Sequence, residues 1–247
     1  MAPPPTFRFG RPHADTIGRW LQLPPADDGP IWVLNLMQYR AVADYADGRP
    51  SSVTGKEADD AYAPVGPLMA VGATVAFFAD VTDQRAGEPA WDRIGIVRYP
   101  SRGSFFAMQQ RDDFQKQYVH KEAGMQFTIV MGCLPATVTS PATVISPATD
   151  GDGPAPAGSL VLRLRRFAPD RTPDPDPPGV VPVIGFDVDG VVLGDQRRWD
   201  EARFDRVQDG ALGLLGELDG IAEQIVVVTE PLIDELVISV VSPPVVD

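Results

Sequence analysis

Four apolar runs, the first and third each followed by a stretch with helical features, organise the first 134 residues. Residues 31–38 (I-W-V-L-N-L-M-Q), 73–81 (A-T-V-A-F-F-A-D-V), Arg93–Tyr99 (R-I-G-I-V-R-Y) and 125–134 are short and rich in β-branched and aromatic side chains, which predicts strands. Ahead of them, D-T-I-G-R-W-L-Q-L reads as a small helix capped by Asp15. Thr54 and Glu57 make a T-x-x-E capping box, so a helix runs from there toward Val71, bent at Pro64 and Pro67. Residues 82–90 read as a polar loop. Ser101 caps a further helix that breaks near Asp112 and stops at Gly124. Asp59–Asp60 and Asp112–Asp113 fall in first helical turns, where carboxylates favour the helix dipole.

This β-α-β-β-α-β order is that of a ferredoxin-like unit. Its strands are apolar on both faces, whereas helices in such a unit cover only one. The other face needs a cover, and a second sheet of the same kind is the simplest one. Residues 135–158, composed of Pro, Ala, Thr, Ser and Gly with few large side chains, read as a linker. Strand patterns then resume. S-L-V-L-R-L-R-R-F parallels W-V-L-N-L-M-Q-Y, and V-I-G-F-D-V-D-G-V-V parallels A-T-V-A-F-F-A-D-V. W-D-E-A-R-F-D-R-V lies on W-D-R-I-G-I-V-R-Y without a gap, matching Trp91, Asp92 and Arg98 with Trp199, Asp200 and Arg206.

In that register D-R-T-P-D-P-D-P-P-G stands where the first helix belongs and cannot form one. I-V-V-V-T-E falls where the second helix belongs although its β-branching favours a strand, and E-L-V-I-S-V-V-S falls on the fourth strand. The expected architecture is α+β: two ferredoxin-like halves in one chain, packed sheet-to-sheet as a pseudo-dimeric α/β barrel, the second half degenerate and lacking its first helix. Its parts are an extension with a short helix (1–29), a ferredoxin-like domain (30–134), the linker (135–158) and a degenerate ferredoxin-like domain (159–247).

The net charge of −13 argues against a protein that grips phosphate backbones or anionic membranes. The one cysteine, Cys133, excludes an intrachain disulfide and sits in an apolar run as a core residue. With no apolar leader or membrane-length run, the expected location is cytoplasmic. Two histidines and one cysteine make a dedicated metal site improbable, and no cofactor is expected. F-D-V-D-G-V-V resembles the first motif of haloacid-dehalogenase-like phosphatases, but no lysine follows it, and the plain reading is a strand ending in a D-G turn.

R-Y-P-S-R-x-x-F-x-x-M, followed by Y-V-H-K-E-A-G-M and preceded by N-L-M-Q-Y, resembles a family of small bacterial proteins classed as a domain of unknown function. That family lies within the dimeric α/β-barrel superfamily. The resemblance covers about residues 30–134 and implies a ferredoxin-like fold whose sheets pair, usually between two chains. Here the second half would supply the partner sheet, giving a monomer with an intrachain pseudo-dimer, or else a homodimer. Relatives in the superfamily include cofactor-free monooxygenases, muconolactone isomerase-like enzymes, haem enzymes and stress-response proteins, so the resemblance implies fold better than function.

Polar residues set in apolar pattern are the candidates for chemistry. Asn35, in mid-strand, either ties the sheet to a loop or faces a pocket. Arg98 shares a strand face with Ile94 and Ile96, and its guanidinium needs an internal carboxylate or a ligand's carboxylate or enolate. His120 matches the family's histidine and is a base, a haem ligand or a solvated helix-end residue. The register puts Arg163 at the place of Asn35 and Val228 at that of His120, which confines any chemistry to the first half. Tyr39, Tyr62 and Tyr99 line the same cavity or pack as amphipathic residues, and Arg102 meets a substrate anion at the cavity mouth or lies in a solvated helix start.

Two functions follow. One is a cofactor-independent oxygenase, isomerase or decarboxylase acting on a small organic anion or polyketide-like molecule, with Arg98, Asn35 and His120 as its catalytic residues. The other is a non-catalytic small-molecule-binding or scaffold protein, with haem binding through His120 as a weaker alternative.

Overall fold

The structure is a computed structural model that describes residues 8–136, 158–216 and 218–241. The fold is mixed α+β and dominated by sheet. In chain order the elements are β1 (Arg11–Pro12), α1 (Ala14–Gln22), β2 (Ile31–Tyr39), α2 (Gly55–Ala61), α3 (Val65–Ala70), β3 (Thr74–Ala86), β4 (Arg93–Tyr99) and α4 (Arg102–Gln109). There follow α5 (Asp112–Gly124), β5 (Met125–Pro135), β6 (Ser159–Phe167), β7 (Val180–Gly194), β8 (Glu201–Val207), α6 (Asp209–Leu212), β9 (Ile221–Asp234) and α7 (Leu236–Val241). Most of the expected linker lies outside the described residues. Among those described, no helix is long and apolar enough to cross a membrane.

The chain divides into two compact units. The first takes Met1–Val75, Gly95–Gly132 and Val191–Arg197. Its strands run in the order β1, the end of β7, β5, β2, β4. His13, not Asp15, is the N-cap of α1, and Asp15 sits inside the first turn. Buried Trp20 of that helix meets Phe105 and Phe106 edge-on and covers Gly132, where any Cβ would collide with its indole. The Thr54–Glu57 capping box forms as the spacing predicts.

The expected long helix is two short ones, because the chain leaves helical geometry at Tyr62 and restarts after Pro64. Pro67 causes no bend, since it lies in the first turn of α3, where an amide has no partner four residues back. Ser101 caps α4 by accepting from the Ser104 amide at 3.0 Å. Gly124 does not stop α5 but is its last residue, with Met125 extended as the C-cap.

The reason for glycine there is contact. A Cβ on Gly124 would collide with the Gly55 carbonyl, and one on Gly55 with the Gly124 carbonyl. The Arg40 backbone sits between them, donating to the Gly124 carbonyl at 2.8 Å and accepting from the Gly55 amide at 3.0 Å. The start of α2 and the end of α5 are therefore joined backbone to backbone, which two side chains would prevent.

The second unit takes Ala76–Ile94, Cys133–Gly190 and Arg198–Asp247. Its strands run in the order β4, β3, β9, β6, β8, β7. Cys133 is a buried core residue, as its pattern predicts. The Pro-rich segment before β7 forms no helix, also as predicted.

Two expectations fail and one open conflict is resolved here through β9, and a third expectation fails in β7. Residues 82–86 continue β3 instead of forming a loop, because they pair with β9 from Asp83↔Val228 to Ala86↔Val226. I-V-V-V-T-E is strand in β9, its β-branching prevailing over the repeat register. Within E-L-V-I-S-V-V-S, expected as the fourth strand, Leu236–Val241 forms α7, because β9 has already taken that place. F-D-V-D-G-V-V has no D-G turn, and β7 runs through it to Gly194.

The ungapped repeat has a structural counterpart. β4 begins directly after Trp91-Asp92 and β8 directly after Trp199-Asp200, and each has 7 residues. The Asp92 carbonyl accepts from the Val81 amide at 2.9 Å, and the Asp200 carbonyl accepts from the Val188 amide at 2.9 Å. Asn35 and Arg163 each stand fifth in a strand of 9 residues.

Arg163 and Asp205 are both 0% exposed. Arg163 lies directly across from Arg203, a like-charge pairing that is unfavourable without counterions. Asp205 accepts from Arg163 Nε at 2.7 Å, and Arg203 Nε lies 2.9 Å from its other oxygen. Asp176, from the Pro-rich segment, accepts from Arg163 at 2.5 Å and also from Arg203. Arg165 donates to Glu201 at 2.7 Å. Burial pushes the Asp205 and Glu201 carboxyls up, with the arginines opposing it.

Removing one member strands the others in low dielectric. Asp205→Ala is therefore expected to cost about 3–5 kcal/mol in urea denaturation. A loss under about 1 kcal/mol would show that the cluster contributes little to the fold.

Candidate functional site

The first unit holds every residue that the sequence singled out, but in separate settings. Asn35 and Trp32 are three positions apart on β2 and so point to opposite faces. Asn35 lies 2.5 Å from Thr128 Oγ1, which also lies 2.7 Å from the Leu36 carbonyl oxygen. One hydroxyl has one proton. Both contacts are satisfied when Thr128 donates to Leu36 and the Asn35 amide NH2 donates to Thr128. Asn35 thereby ties β2 to β5.

Arg98 lies on the Trp32 side, its guanidinium carbon 5.5 Å from the Trp32 ring centroid. It is 4% exposed, and its Nε and Nη1 have no hydrogen-bond partner among the described residues. No internal carboxylate pairs with it there. Burial alone pulls its pKa down, since nothing nearby favours the charged form. Among the described residues Arg98 has no carboxylate partner, and the Trp32 ring lies against its guanidinium.

His120, on α5, pairs with Tyr45 instead: Nδ1 lies 2.9 Å from the Tyr45 hydroxyl and the rings meet edge-on. The Arg49 guanidinium sits over the same tyrosine at 3.7 Å. Among the described residues no hydrogen bond joins Asn35, Arg98 and His120 to one another. Tyr99 packs on α4, its hydroxyl 3.4 Å from Met108 Sδ. Arg102 is not in a solvated helix start. Its side chain is 7% exposed and pairs with Asp28, which also accepts from the Arg102 amide at 2.8 Å and the Gly103 amide at 3.0 Å.

Tyr39 and Tyr62 do come together, in company that the sequence reading did not name. Tyr39 donates to Asp59 Oδ2 at 2.6 Å. Asp59 is 4% exposed and lies beyond the first turn of α2, so its place is a buried pair and not the helix dipole. Lys121 Nζ sits 4.0 Å from Met37 Sδ and 5.1 Å from the Tyr62 ring centroid. Tyr62 in turn meets Phe114 and Tyr118 edge-on.

Lys121 is half-buried yet densely surrounded, and burial pulls its ammonium pKa down while Asp59 partly offsets this. Burial pushes the Tyr62 hydroxyl well up, helped by Tyr99, Tyr118 and Asp59. A signal for this cluster was present in the sequence. Phe114, Tyr118 and Lys121 follow i, i+4, i+7 spacing, as do Gly55, Asp59 and Tyr62, which puts Lys121 and Asp59 on buried helical stripes.

No protein-family model and no curated protein matches the chain. Among solved structures, the methylated RPA0582 protein from Rhodopseudomonas palustris is similar at 25% identity and a TM-score of 0.46, over 55% of this chain and 100% of that one. A candidate monooxygenase from Lactobacillus acidophilus is similar at 12% identity and a TM-score of 0.38, over 83% of this chain and 94% of that one. A mutant chlorite dismutase from Candidatus Nitrospira defluvii is similar at 10% identity and a TM-score of 0.42, over 90% of this chain and 98% of that one.

The lowered Lys121 pKa fixes the sign of a pH effect. The folded state is penalised wherever Lys121 is protonated, fully so below its folded pKa, and the penalty fades as pH rises toward the ordinary lysine value of 10.5. Lys121→Met should therefore raise the urea midpoint at pH 7, by a margin that shrinks as pH climbs to 10. A margin that is absent at pH 7, or that grows with pH, would refute this account of Lys121.

Proposed function

We propose that this protein binds a small organic anion whose carboxylate or enolate is held by Arg98 against Trp32. The observation that carries the reading is that two buried nitrogens of the Arg98 guanidinium, Nε and Nη1, have no acceptor among the described residues. A protein that needed only a packed strand would gain from an apolar side chain at that position, because a buried charge without partners is costly. A ligand anion would supply the missing acceptors in an arrangement that a guanidinium fork suits well.

Binding without chemistry is the reading that we favour over a cofactor-independent enzyme. Catalysis as the sequence framed it needs Asn35 and His120 beside Arg98. Asn35 is instead tied to Thr128 on the other strand face, and His120 is bonded to Tyr45. The proposal extends to the architecture: ferredoxin-like halves at 30–134 and 159–247 forming an intrachain pseudo-dimeric barrel. It draws support from the matched starts of β4 and β8 and from the paired Val81–Asp92 and Val188–Asp200 hydrogen bonds.

The test is calorimetry and thermal shift of the full chain against a panel of aliphatic and aromatic carboxylates, alongside Arg98→Met. The wild-type protein should bind at least one class. The variant should bind it at least about tenfold more weakly, the loss of one charged hydrogen bond, while melting higher than wild type when empty. Unchanged affinity in Arg98→Met, or a lower melting point of the empty variant, would overturn the assignment.

A further inference from the structure

The second candidate lies on the other face of β2, away from Arg98, and does not depend on the reading above. Three groups from three elements converge there: Tyr39 at the end of β2, Asp59 from α2 and Lys121 from α5. The Tyr39 hydroxyl and Lys121 Nζ approach one sulfur atom, Met37 Sδ, at 3.8 and 4.0 Å. The Tyr39 hydroxyl is also bonded to Asp59 Oδ2 at 2.6 Å. No carboxylate lies within ion-pair distance of Lys121 among the described residues, and the Tyr62 ring closes one side of the amine.

We propose that Lys121 is an imine-forming amine for small aldehydes or ketones, with the Tyr39–Asp59 pair as its proton-handling partner. A lysine reacts with a carbonyl only as the free amine, and an apolar, aromatic setting without a counterion favours that form. In the reaction the nitrogen lone pair attacks the carbonyl carbon. A C–N bond forms, and the π pair moves to oxygen. The nitrogen then loses a proton and the oxygen gains one, giving a carbinolamine. Protonation of its hydroxyl lets the nitrogen lone pair expel water and leaves the iminium ion, which becomes the imine when the nitrogen gives up its remaining proton, so the step consumes no oxidant or reductant. Tyr39, already bonded to a carboxylate, can give and take back a proton in these transfers.

Direct evidence for the free amine would be its reaction rate against that of the other lysines. The chain has only Lys56 and Lys116 besides Lys121, so peptide mapping is clean. Lys116 is exposed and serves as the internal control. The full-length protein would be incubated at pH 7 with limiting propanal and cyanoborohydride, which reduces the imine to a stable amine, and then digested and analysed by mass spectrometry.

Each unit of pKa depression gives about tenfold more free amine at a fixed pH below it, so Lys121 should be modified at least several-fold faster than Lys116. The titratable groups grouped around the amine are Asp59, Tyr39 and Tyr62, with Tyr118 behind Tyr62. Tyr39→Phe should slow modification at Lys121 and leave Lys116 unchanged. Lys121 reacting no faster than Lys116 would overturn the proposal, and an unaltered Lys121 rate in Tyr39→Phe would remove Tyr39 from it.

Discussion

A charge withdrawn from water must be matched inside the protein, and much of this structure is arranged around three such charges. Arg163 is paired with two carboxylates, Asp205 and Asp176, in a cluster that also holds Arg203, although its Nη1 has no hydrogen-bond partner among the described residues. Lys121 is matched partly, by a thioether, an aromatic ring and a carboxylate beyond contact range. Arg98 is matched least, by the face of Trp32 alone. The grading separates scaffold from site. A cation with its acceptors in place holds strands together, as Arg163 holds β6, β8 and the Pro-rich segment. A cation lacking them reduces stability, as two buried nitrogens of Arg98 without acceptors among the described residues would.

The environment of Lys121 depends in turn on a contact with no side chains at all. Gly55 opens α2 and Gly124 ends α5, and their backbones meet across Arg40. From that junction Asp59 lies one helical turn along α2, and Lys121 lies just before Gly124 on α5. Two helices anchored at one point bring a carboxylate and an amine from distant sequence against the same strand. An alanine at either glycine would push the helices apart and disperse the cluster, since the atoms in the way are backbone and cannot rotate aside.

How much of this was legible from sequence depended on whether the deciding partner was local. The Thr54–Glu57 box, the Ser101 cap and the strand Arg93–Tyr99 are set by neighbours within a few residues, and pattern found them. Residues 82–86 and the segment at Ile221–Asp234 are set by each other across more than a hundred positions, and there the polar loop and the repeat register both misled. The site divides in the same way. Arg98 stood out as a charge in an apolar strand. Asp59 and Lys121 were masked because a charged residue on a helix reads as solvated unless its stripe is traced turn by turn.

The two halves of the sequence repeat treat the same strand position differently. Asn35 and Arg163 each stand fifth in a strand of 9 residues. Asn35 is tied by one hydroxyl, that of Thr128. Arg163 needs two carboxylates, one of them from the segment that replaces a helix. A helix would satisfy its own backbone and cover an apolar face. A Pro-rich segment can do neither, and must be fixed by contacts that it makes with side chains. Asp176 provides such a contact, joined to two arginines at once. Buried charge thus fastens a Pro-rich segment that forms no helix of its own.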